Sequence, residues 1–255
     1  ILKFINTKDD KIKYNLKEMA NGVGLPYRRF RGLCSLSVAL GLIVSRKYQL
    51  TELGKIIVNN DLFFDEIVTL WLCHYIISYD NKWIVWNTMV NEVAYNNHII
   101  DKKELKKYFN FIKKSHYSGK LFSEKLFGEI NVFLDAYTEQ NFHRLNFIVK
   151  EDEKYIVNKN QIIPELILLA AILLYREKYA PSSPALQVEN LVFEKNSPGR
   201  AFNMTEDDFR QKLETLNKKG FLYIESSADL DQVRFKSNQT SLDIIKESYK
   251  GGYNA

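Results

Sequence analysis

Cysteine, proline and glycine are all scarce in this 255-residue chain, at 2, 5 and 11 residues. So few prolines and glycines leave little room for long linkers, and a 26% charged fraction beside 45% hydrophobic residues speaks against global disorder. The two thiols, Cys34 and Cys73, sit inside apolar helical patterns. They suit reduced, buried cysteines of a cytoplasmic protein and supply neither a disulfide framework nor a zinc pattern. The four histidines, His74, His98, His116 and His143, lack metal-ligand spacing. His74, beside Cys73 in an aromatic helix, reads as a satisfied core or interface histidine rather than a base. Neither G-x-x-x-x-G-K-[ST] nor G-x-G-x-x-G occurs, which removes nucleotide cradles of those kinds. An E-x-K at Glu104 and Lys106 stands in a lysine-rich helix rather than on a core strand after an aspartate, so a nuclease match is discounted. No catalytic set, metal site or cofactor is expected. The most apolar run, ELILLAAILLY from Glu165 to Tyr175, is about half the ~20 residues of a membrane span, so a fully buried helix and no membrane partner are expected.

What is present is a mild positive excess, +5 with a pI near 8.9, and many apolar segments with helical spacing. The spacing predicts helices over NLKEMANG at 15–22, over 26–41 after the tight turn VGLP, and from Thr51 over TELGKIIVNND. Gly32 inside the second of these costs roughly 1 kcal/mol relative to alanine. LIVSRKYQL between the last two reads as two very short strands about a Ser-Arg-Lys corner. Helix, turn, helix and small hairpin is the order of a winged helix-turn-helix, whose first helix would lie in or before residues 1–14, where the sequence looks shortened. Residues 65–140 predict amphipathic helices with Trp71, Trp83, Trp86, Phe109, Phe133 and Tyr137 as core, and FIVKEDEKYIV predicts a hairpin. The third part repeats the first: helix ELILLAAILLYREKY, a shorter helix SPALQVENLVFE, the turn NSPGRAF, a helix opening at Thr205, and strands FLYIES and QVRFK. A last helix follows in the tail.

These readings give a mainly α fold: two winged helix-turn-helix units flanking a central helical region, with short β-wings. The expected boundaries are 1–62, 63–160 and 161–240, with a tail over 241–255. Tyr27, Arg28, Arg29, Arg31 and Ser35 on the second helix are the candidate DNA contacts, with Arg46 and Lys47 at the wing tip. Lys102, Lys106 and Lys113, in a lysine run with interleaved aromatics, and Arg200 are possible secondary phosphate contacts. The third-part helix opens on Glu206, Asp207 and Asp208, which would repel phosphate, so that unit is expected to act as scaffold or interface.

GVG before a basic helix, LTELGK at 50–55, TLWLCHY at 69–75, NSPGRAF at 196–202 and the strand ending QVRF together resemble the prokaryotic domain of unknown function 4007 family. The resemblance implies a part in bacterial DNA-modification and antiphage defence islands, including those linked to DNA phosphorothioation. Some similar proteins carry the label phosphoadenosine phosphosulfate reductase. This sequence lacks the Ser-Gly-Gly-Lys-Asp-Ser type of loop which that sulfur chemistry needs. The expected function is therefore a non-catalytic component that binds double-stranded DNA or organises other proteins of such a system. A transcriptional regulator and a protein–protein adaptor built on winged helices are the alternatives.

Overall fold

Asn15 starts the first well-capped helix. In the computed structural model of the protein, which describes residues 1–7, 15–109, 120–159, 161–227, 230–236 and 239–250, its side chain accepts from Lys17 N at 2.9 Å. Glu18 reaches back to the Asn15 N–H at 3.3 Å, closing a capping box. After α1 (Leu2–Asn6), helices α2 (Leu16–Gly22) and α3 (Tyr27–Ala39) follow where the sequence places them, and α4 (Glu52–Asn60) starts at the Thr51 cap. Helix α3 runs unbroken through Gly32, where an added Cβ would meet nothing within 4 Å. Gly32→Ala is therefore expected to stabilise the protein by about 1 kcal/mol, read as a higher denaturation midpoint at unchanged slope.

The centre is built on two helices buried nearly all round. These are α5 (Ile67–Tyr79) and α9 (Glu165–Tyr179), which pack on one another. An all-apolar helix has no wet face to offer, so it must be sheathed by other elements. Between them in sequence come α6 (Ile84–Thr88), a π-helical turn Met89–Ala94, α7 (Lys106–Phe109), α8 (Lys120–Thr138) and a 3-10 turn Asn141–Leu145. Strands β1 (Ile99–Ile100), β2 (Ile148–Glu151) and β3 (Lys154–Val157) form one antiparallel sheet in the order β1-β3-β2. Beyond α9 lie β4 (Ala185–Gln187), α10 (Val188–Phe193), α11 (Pro198–Ala201), α12 (Glu206–Lys218), β5 (Leu222–Ser227), β6 (Leu230–Phe235) and α13 (Ser241–Ser248). The second sheet is antiparallel in the order β4-β6-β5. The fold is thus mainly helical with small antiparallel sheets. Buried apolar side chains from Leu2 to Ile245 join in one core. Among the described residues, no helix is long and apolar enough to cross a membrane.

Four local expectations change. The hairpin at 42–50 is a single bridge, Ile43 to Leu50, because Arg46 and Tyr48 take left-handed φ values of 66° and 54° and curl the corner. KWIVWNTMVNEVAY is an α-helix only to Thr88 and then widens into the π turn. Trp83 and Trp86 are half-buried at the edge of the core, whereas Trp71, Phe109, Phe133 and Tyr137 lie inside it. The first residues of SPALQVENLVFE form β4, since Leu186 pairs with Val233 across the sheet and tertiary pairing overrides local helix preference.

Candidate nucleic-acid interface

The turn between α2 and α3 is closed by main-chain bonds. Leu25 N donates to Ala20 O at 3.0 Å and Gly24 N to Asn21 O at 3.1 Å. Gly24 sits at φ +67°, a region open to glycine. Pro26 sets the entry to α3, which buries Phe30 and Cys34 beside Met19 and Ala20 of α2. Ala39 is buried at its end, Ser37 and Val38 are half-buried, and the other residues of α3 face water. After it, Val44 N donates to Gln49 O at 2.8 Å and Tyr48 N to Val44 O at 3.1 Å, forming a compact corner with Arg46 and Lys47 at its outside.

Tyr27, Arg28, Arg29, Arg31 and Ser35 are all exposed on α3, and Arg46 and Lys47 are exposed on the corner that follows. Between residues 15 and 50, six basic side chains (these five cations and Lys17 of α2) stand against one acid, Glu18. The local balance is +5, and the other 30 basic and 30 acidic residues of the chain cancel. Residues 101–120 carry an equal excess, seven lysines against Asp101 and Glu104, so residues 15–50 are one of two basic concentrations. The one at 15–50 is countable in the sequence; Lys17 is the member that reasoning from α3 alone overlooks.

The remaining candidates lie elsewhere. Lys102 donates to Asn131 at 3.0 Å and stands 5.1 Å over the Tyr155 ring. Lys106 opens α7, and Lys113 lies outside the described residues. Arg200 is committed inward. Its Nε donates to Asn91 O at 2.7 Å, its two terminal nitrogens reach Phe193 O and Glu92 at 3.2 Å, and the guanidinium stacks 4.3 Å from the Tyr95 ring. On α12, Asp208 N donates to the Thr205 hydroxyl at 3.1 Å, so the acidic first turn caps its own helix. The two thiols are buried and free, and burial pushes Cys73 up to about 12. Among the described residues no group of three or more His, Cys, Asp or Glu is placed to hold a metal ion.

A sequence profile for proteins of unknown function, DUF4007, matches residues 37–249. The chain belongs to the DUF4007 family. No curated protein matches it by sequence. Among solved structures, magnesium ion-bound SspB is similar with a TM-score of 0.78 at 13% identity, covering 98% of this chain and 83% of that one. A second SspB crystal structure gives 0.77 at 14% identity, covering 98% and 85%. At such identities the likeness is one of fold. The profile match begins inside α3, so Arg46 and Lys47 fall within the matched part and Arg28, Arg29 and Arg31 precede it.

The stretches that mark this DUF4007 chain turn out to be joints. In LTELGK, the Thr51 hydroxyl donates to Gly41 O at 2.6 Å and accepts from Gly54 N at 2.9 Å, tying the end of α3 to the start of α4. In LWLCHY, His74 is fully buried: Nε2 donates to Ala201 O at 2.9 Å and Nδ1 accepts from the Tyr137 hydroxyl at 2.5 Å. Burial away from water pulls its pKa down to about 4, so it stands neutral. In NSPGRAF, Asn196 sits at φ 69° and is the node of a buried polar network. Its N–H donates to Asn91 at 2.9 Å, its side chain accepts from Asn87 at 2.5 Å and donates to the Tyr179 hydroxyl at 3.0 Å, and its carbonyl accepts from Tyr75 at 3.1 Å. Ser197 caps the one-turn helix α11, and Arg200 collects the Asn91 carbonyl of the π turn. Apart from Tyr179, the partners of Asn196, and Asn91 for Arg200, lie more than a hundred positions away, which no short-range sequence pattern records.

Proposed function

We propose that this protein is a non-catalytic, DNA-binding component of a prokaryotic DNA-modification or antiphage defence system, acting in the cytoplasm alongside other proteins of that system. In this reading α2, the turn and α3 are a helix-turn-helix whose second helix meets the duplex, and the corner at 44–49 is a reduced wing. Arg28, Arg31 and Ser35 share one exposed face of α3 toward the groove, with Tyr27 at its start. Arg46 and Lys47 meet the backbone. The elements from α9 to β6 form a second winged-helix unit, whose acidic α12 entry makes it scaffold rather than reader. The observation that carries the reading is the set of five exposed cations on α3 and the corner, with Glu18 the one acid between residues 15 and 50. Phosphate contact by such a cluster supplies affinity with little sequence information. The family resemblance supplies the defence and phosphorothioation setting.

Fluorescence anisotropy with a labelled duplex in ~50 mM salt tests this reading. The native chain is expected to bind, and Arg28→Glu with Arg31→Glu is expected to weaken binding at least about tenfold with the melting temperature unchanged. No binding by the native chain, or equal binding by the variant, would count against it. Because one fold neighbour is magnesium ion-bound SspB, supercoiled plasmid incubated with the chain and magnesium gives a second arm. It is expected to stay supercoiled, and nicking that follows the protein would contradict the non-catalytic part.

A further inference from the structure

Helix α3 has a second face. Arg28 and Arg31 follow at i and i+3, whereas Arg29, Leu33 and Leu36 follow at i, i+4 and i+7 on a different side of the same helix, with Ser35 at the border between the two. Leu33 is 38% exposed and Leu36 is 41%; opposite them on α8, Val132 is 60% exposed, and Phe63, after α4, is 77%. Two hollows of about 490 and 540 Å³ lie along this line and share Leu36, Trp86 and Val132. The first runs between α3, α6 and α8, over Ala39, Trp83 and Leu126. The second continues past Leu33, Leu40, Phe63 and Phe142. Together they make one open apolar trough. An exposed, continuous apolar surface of this kind marks an interaction site in a soluble protein.

The charges around it choose among occupants. The charged side chains lining the two hollows are Lys3, Lys82, Lys125 and Glu129, and Arg29 lies on the Leu33 face of α3. Four cations thus border an apolar floor against one carboxylate. A second copy packing the same face onto itself would bring like charges together across a two-fold axis. Nucleic acid would find an apolar floor of Leu36, Trp86 and Val132 where it needs polar partners. We propose that the trough seats an amphipathic helix of a partner protein, with apolar anchors over Leu36, Trp86 and Val132 and aspartates or glutamates along its flanks facing Lys3, Arg29, Lys82 and Lys125. This is the helix-in-groove mode, in which apolar anchors give affinity and rim charges give choice of partner.

The test uses the full chain and two fluorescein-labelled designed helical peptides that share one leucine and phenylalanine stripe, one flanked by glutamates and one by lysines. The glutamate-flanked peptide is expected to bind at least about tenfold more tightly than the lysine-flanked one. Leu36→Glu and Val132→Glu, both at exposed positions, are each expected to weaken it at least about tenfold with the melting temperature unchanged. Arg28→Glu, on the other face of α3, is expected to leave peptide binding intact, which separates this proposal from the DNA reading. Equal binding of both peptides, no saturable binding of the glutamate-flanked one, or indifference to the Leu36 and Val132 changes would overturn it. So would sedimentation showing a dimer of the free chain that Val132→Glu dissociates, since the occupant would then be a second copy.

Discussion

Gly54→Ala is expected to destabilise the protein by about 3 kcal/mol, lowering the melting temperature by on the order of 10 °C. Helix α4 begins where Thr51 N donates to Leu42 O at 3.0 Å, which draws its first turn over that carbonyl. A Cβ on Gly54 would fall well inside contact distance of the Leu42 carbonyl oxygen and 3.0 Å from its carbon. The obstacle is main chain and cannot rotate away. Alanine's better helix propensity, roughly 1 kcal/mol, offsets only part of the clash. Gly199 is a second instance: its Cβ would lie 2.7 Å from Val192 Cα and 2.8 Å from Val192 O, so Gly199→Ala is expected to act in the same direction. Gly128, with nothing within 4 Å, is the control, and Gly128→Ala is expected to be neutral or stabilising. Thermal melts of the three variants decide the matter, and a Gly54→Ala protein as stable as the parent would show that the α3–α4 joint is not as tight as described.

His74 gives the second large effect, and it depends on pH. Its folded pKa of about 4 lies below the ordinary 6.5, so between those values the unfolded chain takes up a proton that the folded chain refuses. The stability contribution is complete above pH 6.5 and is lost as the pH falls toward 4, by about 3 kcal/mol in all. His74→Leu removes that part of the pH dependence. It is also expected to cost about 2 kcal/mol at pH 7, because the Tyr137 hydroxyl and the Ala201 carbonyl lose their partner in a buried site. Adding Tyr137→Phe is expected to cost less than the two changes summed, since removing both partners leaves fewer stranded polar groups. Urea unfolding of the parent and variants at pH 7, 6 and 5 measures all of this. A parent whose stability stays flat over that range, or a His74→Leu variant with the same slope as the parent, would remove the buried neutral imidazole from the account.

The helices were legible because their apolar spacing and caps are local: the Asn15 box, Pro26, Thr51 and Thr205 mark starts that the structure keeps. The buried character of His74 was legible from its aromatic neighbours. Short strands were less so. The two-residue β1 and the three-residue β4 exist because β3 and β6 lie beside them, and the residues of β4 carry no strand signal strong enough to compete with the helix that follows. The π turn and the Asn87–Asn91–Asn196 network depend on contacts across the whole chain. The inward commitment of Arg200 belongs to the same class, since Glu92 and Asn91 are remote in sequence. Of the candidate interface, the positions of Arg28 and Arg31 on one side of α3 and Arg29 on the other follow from helical spacing alone. What the spacing could not supply was the apolar trough on the Arg29 side, which needs α8 brought alongside.

Salt dependence reports whether the positive side chains of α2, α3 and the corner engage DNA phosphates. The slope of log affinity for duplex DNA against log salt measures it most directly, because each phosphate contact adds about 0.9 to the slope's magnitude. A steep falling line is expected for the native chain. A line shallower by about 2 is expected for Arg28→Ala with Arg31→Ala, and no change for Arg200→Ala, whose guanidinium is turned inward. Parallel lines for the native chain and the Arg28, Arg31 pair would contradict phosphate engagement.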